Sequence, residues 1–450
     1  MTLERRLSER TARVAVIGLG YVGLPQAVAM AESGFQVTGI DVDAERIASL
    51  HAGRSYVGDV PAARLRRVIR DGSFAARTDF ATLAAADVVT ICVPTPLSKT
   101  KDPDVSYIRA ATAQVAGALR RGQLIILEST TYPGTTVEII KPALEATGLT
   151  AGRDFFLAFS PERIDPGNRR FTVRNTPKIV GGFTPRCTRL AVAFYRQFVE
   201  RVVSVSSPQT AEMAKLLENT FRNINIALVN ELAMMCDVLG VDVYEVIEAA
   251  ATKPFGFMPF YPGPGLGGHC IPIDPEYLAW KLKAFDFTAR FIGLAGEINA
   301  QMPQVVVAKV AEALNAAGKS INGARLLVLG AAYKRDVADL RESPALSVLT
   351  LLHQRGARVA YHDPYVPTVR VNGTSLASVR LTTRLLAAQD CVMILTDHTA
   401  FDIPAIVGKA KMVVDTRNAT RGLTRFRHKI VKLGAPSLLL EALRAKGKAA

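Results

Sequence analysis

The sequence predicts an α/β protein in which two doubly wound parallel-sheet domains are joined by a long central helix. Three observations support this prediction: a strand–glycine turn–helix–strand pattern near the N-terminus, a long helical stretch in the middle, and a fainter copy of the first pattern in the last third. With 450 residues, the chain has room for about two to four domains. We predict domains over residues 1–205, 206–318 and 319–450.

The N-terminal pattern begins with a β-branched strand at residues 13–17. Gly18, Gly20 and Gly23 follow, then an Ala-rich helical stretch and a second strand at residues 36–40, which ends at Asp41. A glycine turn in this setting is typical of a Rossmann-like dinucleotide site, where the backbone approaches a pyrophosphate at a helix N-terminus. Asp41 would bind a ribose diol and repel a 2′-phosphate, which favours NAD over NADP. The alternative is a tight turn in an α/β domain that binds no ligand.

Further strands are predicted at residues 87–93, 123–128 and 155–160, with helical stretches between several of them. This alternation indicates a doubly wound parallel sheet. Cys92 lies within one of these apolar runs and is assigned to the core. Glu162 and the segment 128–133 follow the ends of two strands, where α/β folds bind their ligands.

Residues 209–239 contain no proline or glycine and predict a helix that is long for a globular protein. Such a helix would also pack against another element or another subunit. Lys215 and Asn219 are four residues apart and point to one side of it, and Asn223 continues the line. A solvated polar stripe is the alternative for these three residues. A glycine- and proline-rich loop at 254–275 and a helix over 295–317 are predicted to follow.

The loop carries Cys270 directly after Gly267, Gly268 and His269. Glycines permit close approach of a substrate and exposure of the thiol, so a reactive cysteine is one interpretation and an inert loop cysteine is the other. His269 is a candidate base, although neighbouring side chains in an extended loop tend to point apart.

The last third repeats the spacing of the first. Gly330 follows an apolar run as Gly18 does, and the spacing of residues 34, 37 and 41 recurs at 356, 359 and 363. A second Rossmann-like half is therefore expected. It lacks the second and third glycines, so it should not hold a dinucleotide in the same way. Three basic residues there suit a different phosphate-bearing ligand: Lys334, Arg335 and Arg341.

Charge and cysteine content exclude several classes of protein. The formal net charge is +15, but the basic residues are spread along the chain, so solvated surface charge is the simplest interpretation. Five scattered cysteines without a CxxC motif argue against a disulfide framework and a zinc site, and no metal is expected. The N-terminus lacks a signal peptide's apolar core and no apolar run reaches 18 residues. We therefore expect a cytoplasmic protein without a membrane association.

Seven ordered motifs over about residues 12–435 resemble those of the UDP-glucose/GDP-mannose dehydrogenase family, whose members oxidise nucleotide sugars by four electrons. The motifs are Gly18–Gly23, Val93–Pro96, Ser129-Thr130, Ser160–Glu162, Ala214–Phe221, Gly267–Cys270 with Asp274, and Tyr333-Lys334 with Arg341. The resemblance implies that the protein uses NAD as cofactor, takes a UDP-sugar as substrate and does not bind nucleic acid. It also implies a homodimer or a higher homo-oligomer.

The resemblance also implies a chemistry in which one CH2OH group becomes a carboxylate at the expense of two NAD molecules. A cysteine thiolate would add to the intermediate aldehyde, and the thiohemiacetal would lose a second hydride to give a thioester that water hydrolyses. The residues that match the family's catalytic groups are the nucleophile Cys270, the oxyanion-stabilising Lys215 and Asn219, the acid/base carboxylates Glu162 and Asp274, and Thr130, which would order a water.

The same resemblance implies the binding residues. Those assigned to the cofactor are Gly18, Gly20, Tyr21, Val22, Gly23, Asp41, Arg46, Thr95, Thr130 and Arg341, the last of which would reach the cofactor diphosphate. Those assigned to the substrate are Glu162, Arg163, Lys215, Asn219, Tyr261, Gly267 and Lys334, the last of which would hold it in the C-terminal half.

Some positions depart from the pattern of many UDP-glucose enzymes. Ile273 stands where they carry a cofactor-contacting Lys, and Glu128 stands where they carry a Lys before Ser-Thr. Their arginine that acts across the dimer interface has no match, because Lys253 lies close but shifted.

The loop from Tyr261 to Pro275 is instead similar to that of the subgroup acting on UDP-N-acetylhexosamines, above all UDP-N-acetylglucosamine 6-dehydrogenases. We therefore predict oxidation of UDP-N-acetylglucosamine to UDP-N-acetylglucosaminuronate for surface polysaccharide. UDP-N-acetylmannosamine and UDP-glucose are the alternative substrates.

Two other classes of function share some of these sequence features. A β-hydroxyacid reductase also pairs a Rossmann-like domain with a long helix and a catalytic Lys, but its chemistry needs no cysteine, so the Cys270 motif counts against it. A basic NAD-sensing protein that binds nucleic acid would need a recognition helix or a basic stripe with interleaved aromatics, and the sequence shows neither.

Overall fold

The structure is a computed structural model that describes residues 1–98, 100, 102–165, 167–168 and 170–437. The chain forms two compact units. The first unit contains Met1–Glu218 and Glu276–Thr288, and the second contains Asn219–Pro275 and the chain from Ala289 onward. The division into three domains stays a prediction.

The first unit is built on a sheet of eight strands. They are β1 (Arg13–Ile17), β2 (Gln36–Ile40), β3 (Phe74–Arg77), β4 (Val88–Ile91), β5 (Leu124–Leu127), β6 (Phe156–Phe159), β7 (Lys178–Gly182) and β8 (Val202–Val205). Their order across the sheet is β3-β2-β1-β4-β5-β6-β7-β8. The strands from β3 to β6 are parallel, whereas β7 pairs antiparallel with β6 and parallel with β8. Residues at the start of β7 therefore lie at the edge where β6 ends.

Alternating side chains bury both faces of this sheet. Val14 and Val16 of β1 belong to one hydrophobic core, whereas Ala15 and Ile17 belong to another. The helices of this unit are α1 (Leu3–Ser8), α2 (Gly23–Glu32), α3 (Ala44–His51), α4 (Ala62–Arg70), α5 (Ser106–Gly117), α6 (Lys141–Glu145) and α7 (Pro185–Tyr195). A 3-10 turn at Ala81–Ala85 and a π-helical turn at Thr136–Ile140 complete them.

Two helices contain residues of both units: α8 (Pro208–Leu239) and α10 (Asp274–Lys283). The other helices of the second unit are α9 (Val243–Ala251), α11 (Arg290–Ala316), α12 (Pro344–Gln354), α13 (Thr383–Ala388) and α14 (Ile403–Lys409). Its strands are β9 (Arg325–Leu329), β10 (Arg358–His362), β11 (Thr368–Val371), β12 (Thr374–Ala377), β13 (Cys391–Ile394), β14 (Val413–Asp415) and β15 (Ile430–Lys432), with a 3-10 turn at Thr424–Lys429.

Five strands of the second unit form a parallel sheet in the order β10-β9-β13-β14-β15, and β11 and β12 form an antiparallel hairpin. The predicted fold class is therefore confirmed: two doubly wound sheets and a central helix of 32 residues. No helix among the described residues is long and apolar enough to cross a membrane.

The five strands predicted in the first unit correspond to β1, β2, β4, β5 and β6, and their ends differ by at most two residues from those predicted. β3, β7 and β8 of the first sheet were not predicted from the sequence. β7 ends in Gly181 and Gly182, residues that are uncommon in strands, and β8 lies at the sheet edge with all four side chains at least partly exposed. Their signal in the sequence is correspondingly weak.

Candidate active site

Several predicted site residues of the first unit lie at the carboxyl ends of four parallel strands. Gly18 follows β1, Thr95 follows β4, Thr130 follows β5 and Glu162 follows β6. Because β1, β4, β5 and β6 are parallel neighbours, these residues lie along one edge of the sheet.

The glycine turn has the shape that a pyrophosphate requires. Gly18 has φ +90°, and a Cβ there would strike the carbonyl oxygen of Cys92. A Cβ at Gly23 would strike the carbonyl oxygen of Gly18, so the turn packs tightly against its own backbone. At Gly20 a Cβ would meet no atom within 4 Å, so this part of the turn is open to a ligand at the start of α2.

Asp41 ends β2 with a largely buried carboxylate. Its Oδ2 accepts the Leu19 N–H at 2.8 Å, and its Oδ1 accepts the Asp43 N–H at 3.0 Å. Arg46 Nη1 lies 3.3 Å from Oδ2, so two of the residues predicted to bind the cofactor form an ion pair with each other. The carboxylate thus braces the glycine turn and keeps further lone pairs for a ribose diol.

Thr95 and Thr130 are held together by a hydrogen bond of 2.7 Å from Thr95 Oγ1 to the carbonyl oxygen of Thr130. Ser129 Oγ donates to the carbonyl oxygen of Val93 at 2.8 Å, and the hydroxyl of Tyr277 donates to the carbonyl oxygen of Thr95. These bonds rigidify the two loops that follow β4 and β5.

Glu162 is held by backbone and side-chain donors. The N–H groups of Arg163 and Ile164 each donate to its Oε1 at 2.7 Å. The ammonium of Lys178 lies 3.2 Å from Oε2. Burial alone would raise the pKa of Glu162, but the charge of Lys178 and the two backbone donors outweigh it and lower the pKa below its usual value. Glu162 is therefore a carboxylate at neutral pH.

The predicted polar stripe on α8 is buried rather than solvated. Lys215 and Asn219 are 7% and 4% exposed. Asn219 Nδ2 donates to Asp274 Oδ2 at 2.5 Å, and Asn223 Nδ2 donates to the carbonyl oxygen of Ile271 at 3.1 Å. Two residues of the stripe thus anchor the segment that contains the cysteine.

Cys270 is exposed in the turn that leads into α10. Its carbonyl oxygen accepts the Asp274 N–H at 2.8 Å, which closes the first turn of that helix. The four other cysteines are buried: Cys92, Cys187, Cys236 and Cys391.

The glycines before the cysteine allow close backbone packing. Gly268 has φ +87°, its N–H donates to the carbonyl oxygen of Arg341 at 2.9 Å, and a Cβ there would lie 2.8 Å from the Tyr333 ring. Burial, and to a lesser degree the charge of Arg341, lower the pKa of His269. His269 is therefore neutral at neutral pH.

The second Rossmann-like half uses its acidic residue differently from the first. Asp363 Oδ2 accepts the N–H groups of Ala331 and Ala332 and lies 3.0 Å from His398 Nε2. The N–H of Tyr365 donates to the other oxygen at 2.8 Å. This buried carboxylate, which accepts hydrogen bonds at both oxygens, is a structural brace. That this half does not hold a dinucleotide as the first does stays a prediction.

The remaining residues predicted to bind substrate or cofactor lie in the second unit. Lys334 is half-buried, Arg341 is exposed with its guanidinium 2.7 Å from the Asp339 carboxylate, and the exposed Tyr261 ring stacks on Tyr244 at 6.4 Å. Sequence reasoning missed Arg417. Its Nε donates to the carbonyl oxygen of Leu395 at 2.9 Å.

Lys178 was also missed, and no motif in the sequence marks it. Its ammonium lies 2.7 Å from Glu128 Oε2 as well as close to Glu162. Only the antiparallel pairing of β7 brings it to the carboxyl edge of the sheet.

Three models of one protein family match successive segments of the chain. Models of the UDP-glucose/GDP-mannose dehydrogenase family match its NAD-binding domain at residues 12–199, its central domain at residues 209–301 and its UDP-binding domain at residues 327–422. The chain belongs to this family. Family members are nucleotide-sugar dehydrogenases, so the first unit carries an NAD-binding domain and the second a UDP-binding domain.

Relatives within the family differ in the sugar that their names give. A UDP-N-acetyl-D-mannosamine dehydrogenase from Pyrococcus horikoshii is 39% identical over 412 residues, which cover 90% of this chain and 95% of the relative. A UDP-N-acetyl-D-glucosamine 6-dehydrogenase from Pseudomonas aeruginosa is 36% identical over 79% of this chain and 83% of its own. A solved structure of a UDP-D-ManNAc dehydrogenase from P. horikoshii superposes with a TM-score of 0.85, at 36% identity, over 94% of this chain and 99% of that one.

Proposed function

We propose that this family member oxidises the C6 alcohol of a UDP-N-acetylhexosamine to the carboxylate through a covalent adduct on Cys270. The observation that carries the proposal is the exposed Cys270 at the start of α10, in a turn anchored to α8 through Asn219 and Asn223. An ordinary alcohol oxidation needs no nucleophile in such a turn.

The proposed reaction balances in four steps. The C6 alcohol gives a hydride to NAD⁺, the hydride acceptor, and a proton to a base, which leaves the aldehyde. The Cys270 thiolate forms a C–S bond to the aldehyde carbon, and the oxygen takes up a proton. Loss of that proton and of a second hydride, which a second NAD⁺ would accept, gives a thioester. Water then adds, the C–S bond breaks, the sulfur takes up one proton of the water, and the carboxylic acid loses the other to become the carboxylate.

The chain's own residues would serve these steps in distinct roles. Lys215 supplies an ammonium and Asn219 its second amide N–H, both suited to charge that develops on oxygen. Glu162 is a carboxylate held by two backbone N–H groups and is suited to take a proton from water. Asp274 would share the acid/base work, and Thr130 would order the water.

NAD and the UDP-sugar are assigned to different sets of residues. The glycine turn, with Tyr21 and Val22, and the braced pair of Asp41 and Arg46 would hold NAD, helped by Thr95, Thr130 and Arg341. The UDP-sugar would contact Arg163, Tyr261, Gly267 and Lys334. Arg417 adds a guanidinium beside Gly263 for a phosphate.

Two observations bear on the identity of the hexosamine, and they favour different sugars. The sequence of the Gly/Pro loop favours UDP-N-acetylglucosamine. The P. horikoshii relative, named for UDP-N-acetylmannosamine, matches 90% of this chain, whereas the P. aeruginosa relative, named for UDP-N-acetylglucosamine, matches 79%. We propose the manno epimer as the first candidate and the gluco epimer as the second. NADH formation with both sugars and UDP-glucose tests this: the highest kcat/KM is expected for an N-acetylated sugar, and a preference for UDP-glucose would refute it.

A homodimer is proposed from the exposed side of α8. Phe221, Leu228 and Met235 recur every seven residues and are 43%, 58% and 48% exposed. Such an apolar stripe is suited to cover a second copy of the same helix. Light scattering of the purified protein is expected to give a particle mass of twice the 48.5 kDa chain mass or a higher multiple. The Leu228→Glu substitution is expected to lower that particle mass.

A further inference from the structure

A buried lysine bridges two carboxylates at the edge of the first sheet. Lys178 Nζ lies 2.7 Å from Glu128 Oε2 and 3.2 Å from Glu162 Oε2. The three side chains are 8%, 0% and 13% exposed, so water screens this cluster weakly.

The cluster follows from the direction of β7. Since β7 runs antiparallel to β6, its first residue, Lys178, lies beside the residues that follow β6. Ser160 Oγ donates to the carbonyl oxygen of Ile179 at 2.7 Å, which fixes this pairing beyond the strand. Glu128 follows β5, the next strand across the sheet. Three neighbouring strands therefore place one ammonium between two carboxylates.

Among the described residues, an amide and a hydroxyl also donate to the two carboxylates. The Gln26 amide on α2 donates to both carboxylates, and the Tyr195 hydroxyl donates to Glu128 Oε1 at 2.8 Å. Burial and the charge of Glu128 raise the pKa values of Tyr195 and of the nearby Cys92 thiol, so both stay neutral. The Arg163 guanidinium is 2.6 Å from the Glu218 carboxylate, which takes up its charge.

Lys178 itself stays charged in this setting. Burial would lower its pKa, but Glu128 and Glu162 together raise it above the usual value. Glu128 also fixes the ammonium by the shorter of the two contacts. The fully buried Glu128 contacts the same Lys178 ammonium and the same Gln26 amide as Glu162.

We propose that Lys178, held in place by Glu128, is a positioning residue that keeps Glu162 ionised and oriented for proton transfer. This inference rests on the acid/base role proposed for Glu162. The lysine supplies the counter-charge that offsets burial of the carboxylate, and the two backbone N–H groups hold the opposite oxygen. Glu162 thus stays ready to accept a proton under conditions where a buried carboxyl without a cation would already be protonated.

The two partners of Lys178 predict different effects of substitution. Lys178→Met removes the cation, so the pKa of Glu162 rises and the acidic limb of the kcat–pH profile moves upward by about one to two pH units. Glu128→Gln leaves the ammonium beside Glu162 and removes the competing carboxylate, so the limb stays at the wild-type position or moves below it. A merely structural role would move neither limb, or both in the same direction.

The experiment measures kcat against pH for both variants and the wild type, with NAD and UDP-N-acetylhexosamine. Lys178→Arg restores the charge and is expected to return the limb to the wild-type position. Lys309→Met is the matched control, because Lys309 is a lysine of 9% exposure paired with Asp237 at 2.5 Å in the second unit. It is expected to lower thermal stability without moving the limb.

The outcomes separate this inference from the proposed function. An unmoved limb in Lys178→Met, or an upward shift in Glu128→Gln, overturns the role of Lys178. If Lys178→Met does not fold, Lys178→Gln replaces it, and the Glu128→Gln result applies unchanged. Glu162→Gln tests the underlying role: retention of the wild-type rate and pH profile would refute the proton transfer by Glu162, whatever the Lys178 variants show.

Discussion

Asn219 Nδ2 donates to Asp274 Oδ2 at 2.5 Å, which ties the middle of the long helix α8 to the first residue of α10. Asp274 in turn donates its backbone N–H to the carbonyl oxygen of Cys270 at 2.8 Å. The position of the cysteine turn therefore depends on a residue of α8 that is far from it in sequence. The same asparagine is proposed to stabilise the oxyanion, so one side chain would orient both the nucleophile segment and the reacting oxygen.

Replacing Cys270 by Ala is expected to abolish carboxylate formation, because the second hydride then has no sulfur-bound adduct to leave from. Wild type should give two NADH per uronate, and the variant should fall by orders of magnitude. The measurement is NADH per sugar consumed, with mass spectrometry of the protein to detect an adduct in Cys270→Ser.

Cys391→Ala is the control, since Cys391 is buried in the core of the second sheet. It should change stability and leave the stoichiometry unchanged. Near wild-type turnover to the carboxylate by Cys270→Ala would refute the covalent mechanism.

Asn219→Ala is expected to destabilise the protein by about 1–3 kcal/mol, because the buried Asp274 carboxylate loses a donor. The rate at which Cys270 is alkylated should change as well, since its turn loses an anchor. Urea unfolding and alkylation kinetics measure the two effects. Asn225→Ala, which removes only a bond to the Phe221 carbonyl oxygen on the same helix, should show neither. Equal behaviour of the two variants would contradict the anchoring role.

NAD is expected to be preferred over NADP by at least about tenfold in kcat/KM, or about 1.4 kcal/mol. The reason is that the Asp41 carboxylate would face the 2′-phosphate. Asp41→Asn keeps an oxygen for the Leu19 N–H and removes the charge, so the preference should shrink. Parity of the two cofactors in the wild type would show that Asp41 does not face the ribose.

Lys334→Ala is expected to weaken UDP-sugar binding while NAD affinity stays nearly unchanged, because the cation is assigned to the second unit's phosphate-bearing ligand. Calorimetric titration of each ligand separately gives the two affinities. Lys411→Ala, which removes a 52% exposed lysine from the same unit, serves as control and should affect neither. A comparable loss for both ligands would contradict the division of labour.

Asp363 is expected to make folding stability depend on pH in the acid range. Burial would raise its pKa, but His398 and the surrounding backbone N–H groups lower it to about 2. Because the pKa is lower in the folded than in the unfolded chain, the contribution is complete above about pH 4 and is lost as the pH falls toward 2.

The size of that contribution is about 2 kcal/mol. Unfolding by urea at several pH values should show that the stability difference between wild type and Asp363→Asn is largest near neutral pH and shrinks below pH 4. A difference that does not vary with pH would mean that Asp363 is not ionised in the fold.

The sequence alone determined the class of fold and the glycine turn, because these depend on local periodicity and on backbone positions that only glycine tolerates. It also determined the long helix α8, since no proline or glycine interrupts residues 209–239. The family motifs marked Cys270 and Glu162 by their fixed local spacing.

Only the tertiary structure decided which distant side chains meet. Lys178 begins a short strand that ends in two glycines, and nothing in its neighbourhood along the chain marks it. It reaches Glu128 and Glu162 because β7 reverses direction in the sheet, and strand direction is set by packing across the whole unit rather than by local sequence. In the same way, Asp363 and Asp41 follow corresponding strands. The Asp363 carboxylate is occupied by hydrogen bonds within its own half, whereas the Asp41 carboxylate keeps lone pairs for a ligand. The difference arises because different neighbours surround the two residues.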